Sequence, residues 1–183
     1  MMKPIRLYQC LGLLAIEVFL LPLSTQAQPY GTGKYNENVP YGSQTSITIS
    51  TDGNVTIPIT PTESGTLGTG NSTVTVTSTD VVGYKLYIRA AGATTNMVNG
   101  PDTLPASGNG TPATLSVNTW GYNTDGSSNF VGISLSDTLI KNATGPYSSG
   151  DSTTFKYGVK IDNSKPAGNY STTILYTAAP QTD

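Results

Sequence analysis

Ser72–Ala90 reads STVTVTSTDVVGYKLYIRA, two runs of alternating apolar and polar side chains separated by a Thr-Asp-Val-Val-Gly turn. In a strand, successive side chains point to opposite faces, so Val74 and Val76 fall on one face of the first run. Tyr84, Leu86 and Ile88 likewise share a face in the second, with Lys85, Tyr87 and Arg89 on the other. A helix would need a period near 3.6, and neither run has one. Each run therefore predicts a strand with one apolar face.

The same rule recurs outward from this stretch. Ile47 and Ile49 alternate in SITIS; Val55, Ile57 and Ile59 in NVTIPI; Val131, Ile133 and Leu135 in VGISL; Phe155, Tyr157, Val159 and Ile161 in FKYGVKI; and NYSTTILYTA supplies the last run. Between them stand turn signals such as TDGN (51–54), VNGPD (98–102), SGNGTP (107–112), NTDG (123–126) and SKPAGN (164–169). Pro58 marks an edge position or a bulge, because proline cannot donate to a sheet ladder. About eight such strands make an all-β, antiparallel two-sheet β-sandwich the expected fold, since each sheet buries its apolar face against the other.

The first residues differ in kind. Lys3 and Arg6 precede an apolar run from Leu11 to Leu23, and Thr25 and Ala27 stand three and one positions before an expected cut ahead of Gln28. Residues 1–27 read as a cleaved signal peptide, 28–43 as a Tyr-, Gly- and Asn-rich linker without apolar alternation, 44–180 as the sandwich and 181–183 as a tail. The apolar run contains Glu17 and is short of the roughly 20 residues that span a bilayer, so no membrane insertion is expected after cleavage. The expected location is secreted or at the cell surface.

Inventory then narrows the chemistry. The 183 residues include no histidine and one cysteine, Cys10, which lies in the expected leader. Ser-His-Asp and Cys-His catalysis and His- or Cys-ligated metals therefore have no residues to use. Asp52, Asp102, Asp125 and Asp162 sit in turns, where aspartate serves local backbone hydrogen bonds rather than a glycosidase pair. Asn123, Asp125 and Asn129 are spaced like cation ligands but lack the further carboxylates of a calcium loop, and the expected reading is a hairpin turn. Lys85, Lys156 and Lys160 are out of phase with the apolar residues of their strands and face solvent, which argues against lysine cross-links. No catalytic residue, metal or cofactor is expected. The charge balance, 9 Lys and Arg against 11 Asp and Glu without a basic cluster, disfavours nucleic acid.

Three segments, STVTVTSTDVVGYKLYIRAAG, PATLSVNTWGY and FKYGVKIDNSKPAGNYSTTILYTAAP, together resemble the WxL-type and WxL-like secreted bacterial surface domains over about residues 72–180. The most specific piece is the run from Pro166 to Ala178, Pro-Ala-Gly-x-Tyr-x-x-Thr-x-x-Tyr-Thr-Ala. The resemblance implies an Ig-like β-sandwich displayed at the cell surface, in adhesion or envelope assembly. The Trp-x-Leu motif itself is absent: Trp120 stands in Trp120-Gly121-Tyr122, so the motif's peptidoglycan binding does not carry over.

One choice stays open in the residues. Were the run from Leu115 one regular strand, Leu115 and Val117 would face the core while Trp120 and Tyr122 formed an exposed aromatic pair. A single bulge before Trp120 would turn it inward, as a core side chain. The first choice makes Trp120 and Tyr122 ligand-binding residues of a carbohydrate- or peptidoglycan-binding module. The second leaves a non-catalytic surface protein whose partners are another surface protein, cell-wall glycan, or further copies paired through edge strands.

Overall fold

The computed structural model describes residues 45–181, and the expected signal peptide, the whole of the expected linker and the last two residues lie outside them. The described residues form no helix and nine strands: β1 (Ser46–Thr51), β2 (Thr66–Thr79), β3 (Gly83–Ala90), β4 (Met97–Asn99), β5 (Asp102–Leu104), β6 (Thr119–Asn123), β7 (Thr138–Thr144), β8 (Tyr147–Ile161) and β9 (Ile174–Gln181). A four-stranded antiparallel sheet has the order β1-β2-β8-β6, a three-stranded one β7-β3-β9, and β4-β5 is a separate hairpin. This all-β, antiparallel arrangement is compatible with a sandwich.

Both opening runs behave as their alternation predicts. Val74 and Val76 of β2 and Tyr84, Leu86 and Ile88 of β3 are fully buried, and one apolar cluster joins them to Phe155, Tyr157 and Val159 of β8. Two sheets thus share one core. Long pairing of β2 with β8, from Thr66↔Ile161 to Val76↔Asp151, fixes which faces look inward.

Two expected strands are not strands. Val55, Ile57 and Ile59 do alternate inward, but the segment 53–61 joins no ladder and lies as an extended strap against β2. Its path depends on missing side chains below it: a Cβ on Gly68 would meet Ile59 at 2.5 Å, and one on Gly70 would meet Val55 at 2.6 Å. Val131–Leu135 makes only one isolated bridge, from Val131 to Tyr122, next to that of Phe130 with Ala113; Ile133 is buried and Leu135 is exposed. Conversely, β4, β5 and β7 arise from segments without a clear apolar alternation.

Candidate functional site

Trp120 is fully buried and Tyr122 nearly so, which corrects the exposed pair that a regular strand would give. The cause is local. Val117 and Asn118 form a turn, Asn118 sits at φ 61°, and β6 begins only at Thr119. Asparagine tolerates this left-handed conformation better than most residues. Its side chain then locks the turn, with Nδ2 donating to Asp162 Oδ1 at 3.0 Å and to Ser164 Oγ at 3.2 Å, while its Oδ1 accepts from Asp162 N at 3.2 Å. The phase break leaves Leu115 buried, turns Val117 outward and swings Trp120 into the core.

Once inside, Trp120 is fully satisfied. Its indole N–H donates to the Thr95 carbonyl at 3.0 Å, and its backbone joins Val159 of β8 on one side and residues 105–107 on the other. Tyr122 lies 6.2 Å from Phe155, whose ring is 4.9 Å from Tyr176. The hydroxyls of Tyr157 and Tyr176 hydrogen-bond to each other. Burial pushes the Tyr122, Tyr157 and Tyr176 hydroxyls above the usual tyrosine range, so this cluster holds its protons and presents no phenolate.

The loop Asn123–Asn129 is a closed turn. Asn123 Oδ1 accepts from Gly126 N at 3.1 Å, its Nδ2 donates to the Asn129 carbonyl at 2.7 Å, and Asp125 Oδ1 accepts from Ser127 N at 3.0 Å. The cation in this loop is a side chain: Lys156 Nζ donates to the carbonyls of Gly126 and Ser127 at 3.0 and 2.8 Å. Backbone bonds to Ser127 hold the Asp125 carboxyl below its usual range.

The other turn carboxylates act similarly. Asp52 accepts from Ser72 Oγ at 2.7 Å and Thr73 N at 2.9 Å; Asp162 accepts from Ser164 and Asn118. These bonds lower both carboxyls. Among the described residues no three acidic or metal-ligating side chains converge.

Two features have no signal in the apolar pattern. The first is an inter-sheet polar clamp: Asp151 of β8 accepts from Lys141 Nζ of β7 and from the Tyr84 hydroxyl of β3, each at 2.7 Å. Burial opposes ionisation of Asp151, but the Lys141 ammonium and the Tyr84 hydroxyl outweigh it and hold the carboxyl low. Lys141 and Asp151 lie in stretches rich in Asn, Ser, Gly and Thr, where alternation is silent. The second feature is a cleft between the strap and residues 166–176, in two lobes of about 530 and 700 Å³ that share Val55, Ile57, Met97, Tyr170 and Ser171. Tyr157 and Tyr176 line one lobe, and Val159 and Ile161 the other.

No protein-family model, curated protein or solved structure matches the chain.

Proposed function

We propose that this chain is an exported, non-catalytic bacterial surface protein, a two-sheet β-sandwich of the WxL-like kind that serves envelope structure, adhesion or surface assembly. One observation carries the reading: Trp120 and Tyr122, the aromatic pair a sugar-binding module would display, are buried in the core. Among the described residues the surface carries strand edges, Ser/Thr-rich faces and single exposed apolar side chains such as Leu67, Leu135 and Leu139, and edges are features through which β-domains associate. A core without disulfides, tied across its sheets by the Lys141–Asp151–Tyr84 clamp, suits a domain whose role is mechanical.

A glycan-binding reading moves from Trp120 to the cleft beside the strap, one lobe of which is lined by Tyr170, Ser171, Thr172 and Thr173. Surface location tests the main proposal. Protease treatment of intact producing cells should remove the protein, and its first residue should be Gln28. A protein retained inside the cell with its leader intact would sink the proposal.

A further inference from the structure

The outer face of the four-stranded sheet is built from hydroxyls. Val74 and Val76 of β2 are buried, so the alternate positions Thr73, Thr75 and Thr77 point outward. The ladders set further hydroxyls beside each of them: Thr48 beside Thr77, Ser50 and Ser152 on either side of Thr75, and Thr154 beside Thr73. These four flanking residues are exposed. Three neighbouring strands thus carry a lattice of threonine and serine, with a repeat of about 6.7 Å along each strand and about 4.8 Å between strands.

Simple solvation of a strand face does not account for this pattern. Threonine suits exposed strands, but a surface made only for solubility mixes charges of both signs among its side chains. The three rungs carry none. The other sheet supplies the contrast within the same molecule, since its outer face holds Lys85, Tyr87 and Arg89 of β3 beside exposed Leu139 and Leu175. Asp52 bounds the lattice past the end of β1, and its carboxylate is occupied by Ser72 Oγ and Thr73 N. Lys156 follows Thr154 on the same face, and its ammonium is turned to the carbonyls of Gly126 and Ser127.

The lattice is also stiff and free of protrusions. Thr75 Oγ1 and Ser152 Oγ share a hydrogen bond of 2.9 Å, and β-branching restricts the threonine rotamers. Gly150, at φ 89°, raises no side chain beside them; a Cβ there would meet Thr75 Cγ2 at 2.9 Å. The rungs hold no aromatic ring, so they offer a flat polysaccharide no stacking platform.

We propose that this face binds ice. Its two repeats lie near the oxygen spacings on the prism faces of hexagonal ice, and each hydroxyl both donates and accepts hydrogen bonds, as a lattice water does. The threonine methyl groups lose exposed apolar surface on contact. Twist of about 20–25° between neighbouring strands confines the match to these few rungs. The resulting activity is adsorption that holds the protein on ice and slows crystal growth. It does not depend on where the protein resides.

Slow growth of an ice hemisphere from a solution of the purified protein tests this. The unsubstituted protein should be taken into the ice. Ser50→Lys and Thr75→Lys, checked for folding by Trp120 emission, should be rejected into the liquid. Ser50 is exposed on β1, at the end of the sheet order, so that variant keeps the fold even if Thr75→Lys does not. Thr177→Lys, at an exposed position on the other sheet, should be taken up like the unsubstituted protein. Rejection of the unsubstituted protein would overturn the proposal, and so would equal uptake of all three variants. Rejection from ice together with co-sedimentation on crystalline cellulose would overturn it in favour of a polysaccharide.

Discussion

Trp120 shows how one backbone torsion decides the role of a side chain. Its burial follows from Asn118 at φ 61°, so the tryptophan and the asparagine should respond to mutation together. Trp120→Ala should destabilise the fold by about 3–5 kcal/mol in urea unfolding, the range for deleting a buried large aromatic. Asn118→Ala should cost about 1–3 kcal/mol, from strain at positive φ and loss of the bonds to Asp162 and Ser164. Asn118→Gly should cost less, since glycine removes the strain but not the lost bonds. Equal costs for the two substitutions would contradict this division. In the sequence, Trp120 was legible as a choice between two faces, because alternation along Leu115–Tyr122 is a statement about a regular strand. The turn at Val117–Asn118 is tertiary in origin, set by Asp162 and Ser164 more than forty residues away in the chain.

At the scale of elements, long runs with one apolar face were legible and short or polar ones were not. β2, β3, the second half of β8 and β9 fall where alternation of Val, Ile, Leu and aromatic residues places them. β7 and the first half of β8 escape, because their inward positions include Lys141 and Asp151, held by the polar clamp, and Thr153, whose buried hydroxyl has no hydrogen-bond partner. The strap is the opposite case: its alternation is real, but Gly68 and Gly70 let it sink onto β2 without joining a ladder. Gly70→Val should displace it, since even a Cβ there meets Val55 at 2.6 Å. Hydrogen exchange and limited proteolysis should then show residues 53–61 opening while β2 and β8 keep their protection. A strap as protected as in the unsubstituted protein would mean that it is held by something other than this close approach.

For the whole molecule, the polar clamp and the tyrosine cluster set opposite limits in pH. Asp52, Asp125, Asp151 and Asp162 are held below their usual value of 3.8, so the stability they contribute is present above that value and lost as pH falls through the lower folded values. Urea midpoints should therefore drop on acidification below about pH 4, and Asp151→Asn should flatten that limb. Tyr84, Tyr122, Tyr157 and Tyr176 are raised above 10.0, so their contribution is complete below that value and lost as pH rises past it. Tyrosinate absorbance should lag behind that of free tyrosine and then rise together with unfolding; four freely titrating hydroxyls would contradict the packed cluster.

These limits describe a molecule whose Trp120, Tyr122, Phe130, Phe155 and Tyr157 are committed to its interior, and the proposed role in surface structure depends on that commitment. Trp120 is the only tryptophan, which makes its fluorescence a direct probe. Emission maximum and acrylamide quenching should be recorded on the folded protein, alone and with cell-wall glycan. Blue-shifted emission, weak quenching and no change on adding glycan are predicted. Red-shifted, readily quenched emission that glycan protects would put Trp120 on the surface as a stacking platform and replace the structural account with a carbohydrate-binding one.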